Sequence, residues 1–369
     1  MPTRFGQLVV GAPGAGKTTY CEGMRQYLSA LGRDPIVINL DPATTGKNFD
    51  IDITELVSIE GVMSELKLGP NGAMIYCLEY LNENVDWLLK KLQELEPNKY
   101  LIFDFPGQLE LFTHCSSVLD IMKELTKLNY RLTVVNLIDA HHCSDPSKFI
   151  AASLLSLTIM VRLEMPHINV LSKIDLMNQF GILPMNLEFF TDLQDMPRLL
   201  MFLDAPPANI DSEEGEEEED QDENDTNKKA AATEEEEEEE EEQGGGGELS
   251  SSLINENQQC KNDHEMFLIK RKRLHSAMCD LIEDFSLVSF ETLDISSAES
   301  VGRILSKCDK ANGYVYNANE SLSNHEGQGQ ETKYASSLFS AISTDTEMFA
   351  ERTLLVQEKY GKNMKPDSM

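Results

Sequence analysis

The nine residues from Gly11 to Thr19, Gly-Ala-Pro-Gly-Ala-Gly-Lys-Thr-Thr, end a glycine-rich run on one cation and two hydroxyls. Their spacing, G-x-x-x-x-G-K-T, is that of a phosphate-binding P-loop. Gly11, Pro13, Gly14, Ala15 and Gly16 form a loop whose backbone N–H groups can converge on phosphate oxygens, and the N-terminus of a following helix adds partial positive charge. Lys17 then reaches the β- and γ-phosphates of a nucleotide, Thr18 offers a hydroxyl to Mg²⁺, and Thr19 follows it into the helix. The loop sits between the apolar run Leu8-Val9-Val10 and a helix-forming segment, the context its mechanism needs.

Three later groups carry complementary chemistry. Asp41, in Asp41-Pro42-Ala43-Thr44-Thr45-Gly46, follows an apolar strand run. An acid at the carboxyl edge of a sheet lies where phosphates and a hydrolytic water sit, although an Asp-Pro pair alone also reads as a turn. Asp104-Phe105-Pro106-Gly107-Gln108 also ends a strand run. Here Asp104 suits Mg²⁺ or its water, Gly107 lets the backbone approach a γ-phosphate, and Gln108 can orient water. In Ser172-Lys173-Ile174-Asp175, the Asp175 carboxylate can accept both N1–H and the exocyclic amino group of guanine, and the Lys173 stem can cover the base. Adenine offers no such donor pair, and losing a charged contact of this kind costs roughly 1.5–3 kcal/mol. Ser172 stands where N-K-x-D motifs usually have Asn or Thr.

Two other groups carry less. Gly69-Pro70-Asn71-Gly72 reads by itself as a turn. His141, His142 and Cys143 invite a metal reading, but side chains at consecutive positions rarely converge on one ion, and no zinc site is expected.

The elements that must position these residues are legible as alternating types. Strands are expected at Leu8–Val10, Ile36–Leu40, Tyr100–Phe103, Arg131–Ile138, His167–Leu171 and Leu287–Phe290. Helices are expected at Tyr20–Leu31, Asn84–Glu94, Phe149–Val161, Met266–Phe285 and Glu299–Asn312. Strand–helix alternation predicts an α/β fold: a doubly wound, mostly parallel P-loop NTPase sheet with helices on both faces. Asp294-Ile295 falls where a loop can lie against the base.

Composition bounds the rest. The chain has 369 residues, 41% of them hydrophobic, enough for a sizeable core. Its formal net charge is −33, and residues 211–248 carry 21 acidic and 2 basic side chains. No basic stripe for nucleic-acid phosphates is visible, so no direct nucleic-acid contact is expected. Residues 205–262 read as a disordered acidic insertion between 1–204, the first part of the domain, and 263–316, its last strand and helices; 317–369 form a C-terminal tail. Seven cysteines without a C-x-x-C pair suit reduced thiols. No segment reaches the ~20 apolar residues of a membrane helix, and no membrane association is expected.

Taken in order, Gly11–Thr18, Asp41-Pro42-Ala43, Gly69-Pro70-Asn71, Asp104–Glu110 and Ser172-Lys173-x-Asp175 make the chain resemble the GPN-loop GTPases, and within them the second eukaryotic paralogous branch. The likeness covers residues 5–204 and about 266–316, and includes Cys77-Leu78-Glu79-Tyr80-Leu81 and Asp309-Lys310-Ala311-Asn312-Gly313-Tyr314. The resemblance implies a dimeric GTPase in which Gly69, Pro70 and Asn71 of one protomer reach the phosphates bound by the other. It implies GTP/GDP and Mg²⁺ as ligands, homo- or heterodimers with paralogues, and a cytoplasmic role, with shuttling to the nucleus, in the assembly or nuclear import of RNA polymerase alongside its subunits or assembly factors.

The expected site is therefore Lys17 and Thr18 with Asp104 around phosphate and metal, Asp41 and Gln108 on the water, Asn71 in trans, and Ser172, Lys173 and Asp175 on the base. A nucleotide-sensing scaffold with little hydrolysis and a P-loop kinase are the competing readings. The kinase reading lacks a recognisable acceptor pocket or lid.

Overall fold

The computed structural model describes residues 3–44, 49–180, 183–203 and 249–314, the side chains of 249–265 and of residue 178 excepted. The stretch 205–248, the tail from 315 and residues 45–48 lie outside the described residues.

Among the described residues seven strands form one sheet: β1 (Arg4–Gly11), β2 (Pro35–Asn39), β3 (Ile51–Asp52), β4 (Tyr100–Asp104), β5 (Tyr130–Asp139), β6 (His167–Ser172) and β7 (Phe290–Leu293). Their order is β3-β2-β4-β1-β5-β6-β7, and every pairing is parallel rather than mostly so. Among the described residues ten helices accompany them: α1 (Lys17–Ala30), α2 (Ile59–Leu66), α3 (Pro70–Glu83), α4 (Val85–Glu94), α5 (Glu110–Thr113), α6 (Ser117–Lys127), α7 (Pro146–Leu163), α8 (Leu187–Asp192), α9 (Leu249–Phe285) and α10 (Ala298–Asn312).

Strand side chains point alternately to the two faces, and the central strands are apolar on both. Leu8 and Val10 of β1, with Leu101 and Phe103 of β4, pack under Leu78 of α3, Leu88 of α4 and Ile121 of α6. The residues between them, Val9 and Ile102, face Tyr20, Met24 and Leu28 of α1 and Val301 and Ile304 of α10. The sheet is thus doubly wound. A third cluster at the β6–β7 side joins Phe149 of α7, Phe190 of α8, Ile282 of α9 and Phe290.

Three expectations move. The last strand begins at Phe290, not Leu287: Leu287 is 54% exposed, and pairing with β6 starts at Phe290↔Asn169. The Gly69-Pro70-Asn71-Gly72 turn is the start of α3, with Gly69 as N-cap and Pro70 at N1, where a missing N–H and a fixed φ suit helix initiation. Helix α9 starts at Leu249, inside the stretch expected to be disordered, and no proline or glycine interrupts it. By contacts the chain divides into Met1–Ala205 with Ser276–Met369, and Pro206–His275; the described part of the second unit is the amino-terminal portion of α9.

Helix α7 is long and apolar enough to cross a membrane. Its Phe149, Ile150, Leu157, Ile159 and Leu163 are buried against the sheet and neighbouring helices.

Candidate active site

The P-loop leaves the carboxyl end of β1, the strand between β4 and β5, and enters α1. Gly11 is the last residue of β1, Pro13 and Gly14 are exposed, and Ala15 is buried. Gly16 caps α1 at φ 90°, a left-handed conformation that glycine adopts without a Cβ penalty, and no side chain caps the helix. The first backbone N–H groups of α1 are therefore left for an anion. Lys17 opens the helix; Thr18 is half-buried and Thr19 exposed.

Lys17 is 8% exposed, and its Nζ donates to the Ala12 carbonyl at 3.1 Å. Burial lowers its pKa, while the negative charges of Asp104 and Asp41 oppose the shift. Those two carboxylates thus share the lysine's surroundings. Asp104 ends β4, 1% exposed, in register with Val9 on one side and Asn39 on the other. Asp41 follows β2, and its Oδ1 accepts the Ala43 N–H at 2.9 Å. The Thr18 hydroxyl and the Asp104 carboxylate are hard oxygen donors of the kind that hold Mg²⁺.

Gly107 backs onto the same lysine. A Cβ there would stand 2.7 Å from Lys17 Nζ and 2.9 Å from Pro13, so only glycine fits. The next residue, Gln108, donates from Nε2 to Asn71 Oδ1 at 3.0 Å. Within one chain, then, the start of α3 meets the loop after β4. The resemblance implies that Asn71 reaches a partner's phosphates; in the single chain it meets its own Gln108.

The residues expected to read the base join the P-loop through Ser172. This last residue of β6 is 3% exposed, and its Oγ lies 2.8 Å from the Ala15 carbonyl and 3.1 Å from that of Ile138. The serine therefore braces the phosphate loop, a role its departure from the usual motif concealed. Lys173 takes a left-handed backbone, φ 62°, that turns the chain into a 3-10 helix over Ile174–Gln179. A non-glycine residue there costs about 1–2 kcal/mol. The ion pair of Lys173 Nζ with Asp139 Oδ2, at 2.7 Å, fixes that turn. Asp139 is the register partner of Ser172. Burial pushes its carboxyl up, but Lys173 and the His141 N–H together bring it below the usual carboxylate range. Asp175 is exposed in the first turn of that 3-10 helix. Asp294 Oδ1 accepts from Ser296, shaping the turn before α10.

Among the described residues no group of three or more His, Cys, Asp or Glu side chains could hold a metal ion. His141 and His142 have ring centroids 6.2 Å apart, and His141 packs edge-on to Phe180. Asn39 and Asp52, both hydrogen-bonded near Asp41, were not anticipated. The only signal was an asparagine inside an otherwise apolar strand.

A protein-family profile described as "Conserved hypothetical ATP binding protein" matches residues 9–240. The chain is 38% identical over 359 residues to GPN-loop GTPase 2 of Danio rerio, covering 97% of this chain and 92% of that one. It is 40% identical over 315 residues to GPN-loop GTPase QQT1 of Arabidopsis thaliana, covering 85% and 86%. With GPN-loop GTPase 2 of Schizosaccharomyces pombe it shares 39% over 319 residues, 86% and 82% of the two chains. Among solved structures it is similar to a GTPase in apo form from Pyrococcus abyssi, at 27% identity over 56% of this chain and 79% of that one, with a TM-score of 0.45. Near-complete coverage at this identity by relatives sharing one family name agrees with the motifs at the carboxyl edge of the sheet: the chain belongs to the GPN-loop GTPase family, enzymes that hydrolyse GTP to GDP and phosphate.

Proposed function

We propose that this protein is a GTP-binding and GTP-hydrolysing dimeric switch that acts in the cytoplasm, with shuttling to the nucleus, on the assembly or nuclear import of RNA polymerase. The reaction is GTP + H₂O → GDP + phosphate. Lys17 and the free N–H groups at the head of α1 stabilise charge on the phosphoryl oxygens as it develops. Asp41 polarises the attacking water, and Gln108 orients it. Mg²⁺, held by Thr18 and Asp104, would add positive charge at the β- and γ-phosphates. Asp175 selects guanine, and Lys173 covers its ring.

The dimer is supported by the surface around Gly69-Pro70-Asn71. Leu66 (47% exposed) and Leu68 (36%) precede it, and Tyr76 and Tyr80, stacked on each other, follow it on α3. An apolar patch of this kind beside a functional loop suits a partner copy or a paralogue. The polymerase role rests on the family resemblance.

The observation that carries the nucleotide reading is the 2.8 Å hydrogen bond from Ser172 to Ala15, which seats the guanine-reading turn against the phosphate loop. Calorimetry on Asp175→Asn tests it. Xanthine carries a carbonyl where guanine has an amino group, and an amide can donate to it. The variant should lose GTP affinity and gain XTP affinity; unchanged GTP selectivity would refute the assignment.

A further inference from the structure

Asn39 is the penultimate residue before Asp41 and is fully buried at the carboxyl end of β2. Its register partners are Asp52 of β3 and Asp104 of β4. Burying a primary amide is costly unless its polar atoms are bonded. Here they are: Oδ1 accepts the Asp41 N–H at 3.0 Å, and Nδ2 donates to the Asp41 carbonyl at 3.1 Å and to Asp52 Oδ1 at 3.0 Å. The amide orientation is set by its neighbours. Flipped, it would place Nδ2 against an N–H and Oδ1 against a carbonyl and a carboxylate, so only this orientation satisfies all three.

The consequence is a two-point grip. One side chain holds both the N–H and the C=O of Asp41, which removes the main freedom by which a residue just beyond a strand would swing. Asp52 anchors the amide from the other side. Its Oδ1 also accepts the Thr54 N–H at 2.9 Å, capping the short helix Ile53–Glu55 that leads into α2 and on to Gly69-Pro70-Asn71. The Asp41 carboxylate bears electrostatically on Lys17, and its Oδ1 is fixed by the Ala43 N–H.

We propose that Asn39 is a positioning residue for hydrolysis, setting the Asp41 carboxylate against the attacking water, with Asp52 as its anchor. The inference rests on the water-polarising role assigned to Asp41 above. A misplacement of about 1 Å in such a group costs on the order of 10²-fold in rate.

The test uses the full-length protein and three variants: Asn39→Ala, the charge-conserving swap Asn39→Asp with Asp52→Asn, and Asp41→Asn. For each, kcat for GTP hydrolysis, Kd for a non-hydrolysable GTP analogue and Tm are measured. Asn39→Ala should lower kcat about 10²-fold while Kd stays within about threefold. The swap keeps the bond to the Asp41 N–H and, because Asp52 Oδ1 accepts from both Asn39 and Thr54, keeps either the Thr54 cap or a 39–52 hydrogen bond, while it turns a carboxylate oxygen toward the Asp41 carbonyl. It should regain part of the Tm that Asn39→Ala loses and leave kcat at least about tenfold low. A swap variant whose kcat returns together with Tm would reduce Asn39 to a strand brace and overturn the proposal. So would a folded Asn39→Ala protein hydrolysing within about twofold of wild type. If Asn39→Ala does not fold, the swap alone decides. Wild-type hydrolysis by Asp41→Asn would instead remove the role of Asp41, whereas a dead Asp41→Asn beside a fully active swap variant refutes the positioning alone.

Discussion

Lys17 is buried against the tendency of its own charge. Desolvation lowers its pKa, and the carboxylates of Asp104 and Asp41 counter that loss, so the three residues form one electrostatic unit at the head of α1. Removing the ammonium in Lys17→Ala takes away a charged contact worth roughly 1.5–3 kcal/mol, so GTP affinity should fall by about 10- to 100-fold or more. Undiminished binding by calorimetry would contradict the phosphate-loop reading. Ser172 makes a quieter claim. Ser172→Ala removes the hydrogen bond to Ala15 and should cost about 1 kcal/mol of stability and about fivefold in GTP affinity. Urea unfolding and calorimetry measure the two effects, and a loss of stability with unaltered affinity would mean that the brace does not serve the site. Lys17, Thr18, Asp41, Asp104, Gln108 and Asp175 stand out as candidates from type and spacing. Asn39, Asp52 and Asp139 do not, because their roles exist only once β2 lies beside β3 and β5 beside β6, and register cannot be read from one strand at a time.

Among the elements, α10 is tied to the turn that follows α1 by a buried ion pair. Arg33 Nη1 lies 2.6 Å from Asp309 Oδ2, with side chains 8% and 0% exposed, and the guanidinium stacks over Tyr100 and Tyr314 at 4.5 and 4.0 Å. Removing one partner leaves a buried charge unmatched, which typically costs 3–5 kcal/mol, so Asp309→Ala should lower unfolding free energy by about that much. A change below about 1 kcal/mol in denaturant titration would show that the pair is solvated or dispensable. Most elements follow from local pattern: β1, β4, β5 and β6 coincide with apolar runs, and α4 and α10 with amphipathic ones. The misses have physical causes. A two-residue strand such as β3 carries no periodicity, the apolar run Leu287–Phe290 does not say where pairing starts, and a proline after glycine opens a helix as readily as it makes a turn.

For the molecule as a whole, the contact between Asn71 and Gln108 of one chain and the proposed reach of Asn71 into a partner's site predict different results when mutants are mixed. Asn71→Ala and Gln108→Ala proteins should each hydrolyse GTP poorly. A heterodimer places an intact Gln108 site opposite an intact Asn71, so turnover should rise above both parents in proportion to the heterodimer formed. Strictly additive parental rates, with mixed dimers verified by mass, would confine Asn71 to its own chain. The most direct measurement of the central claim is single-turnover phosphate release with GTP and Mg²⁺, run with and without added nucleoside or small-molecule acceptors. The account predicts stoichiometric release of free phosphate from GTP, far less from ATP, and none with Lys17→Ala. Bound GTP that stays intact, or a γ-phosphate recovered on an acceptor instead of in solution, would contradict it.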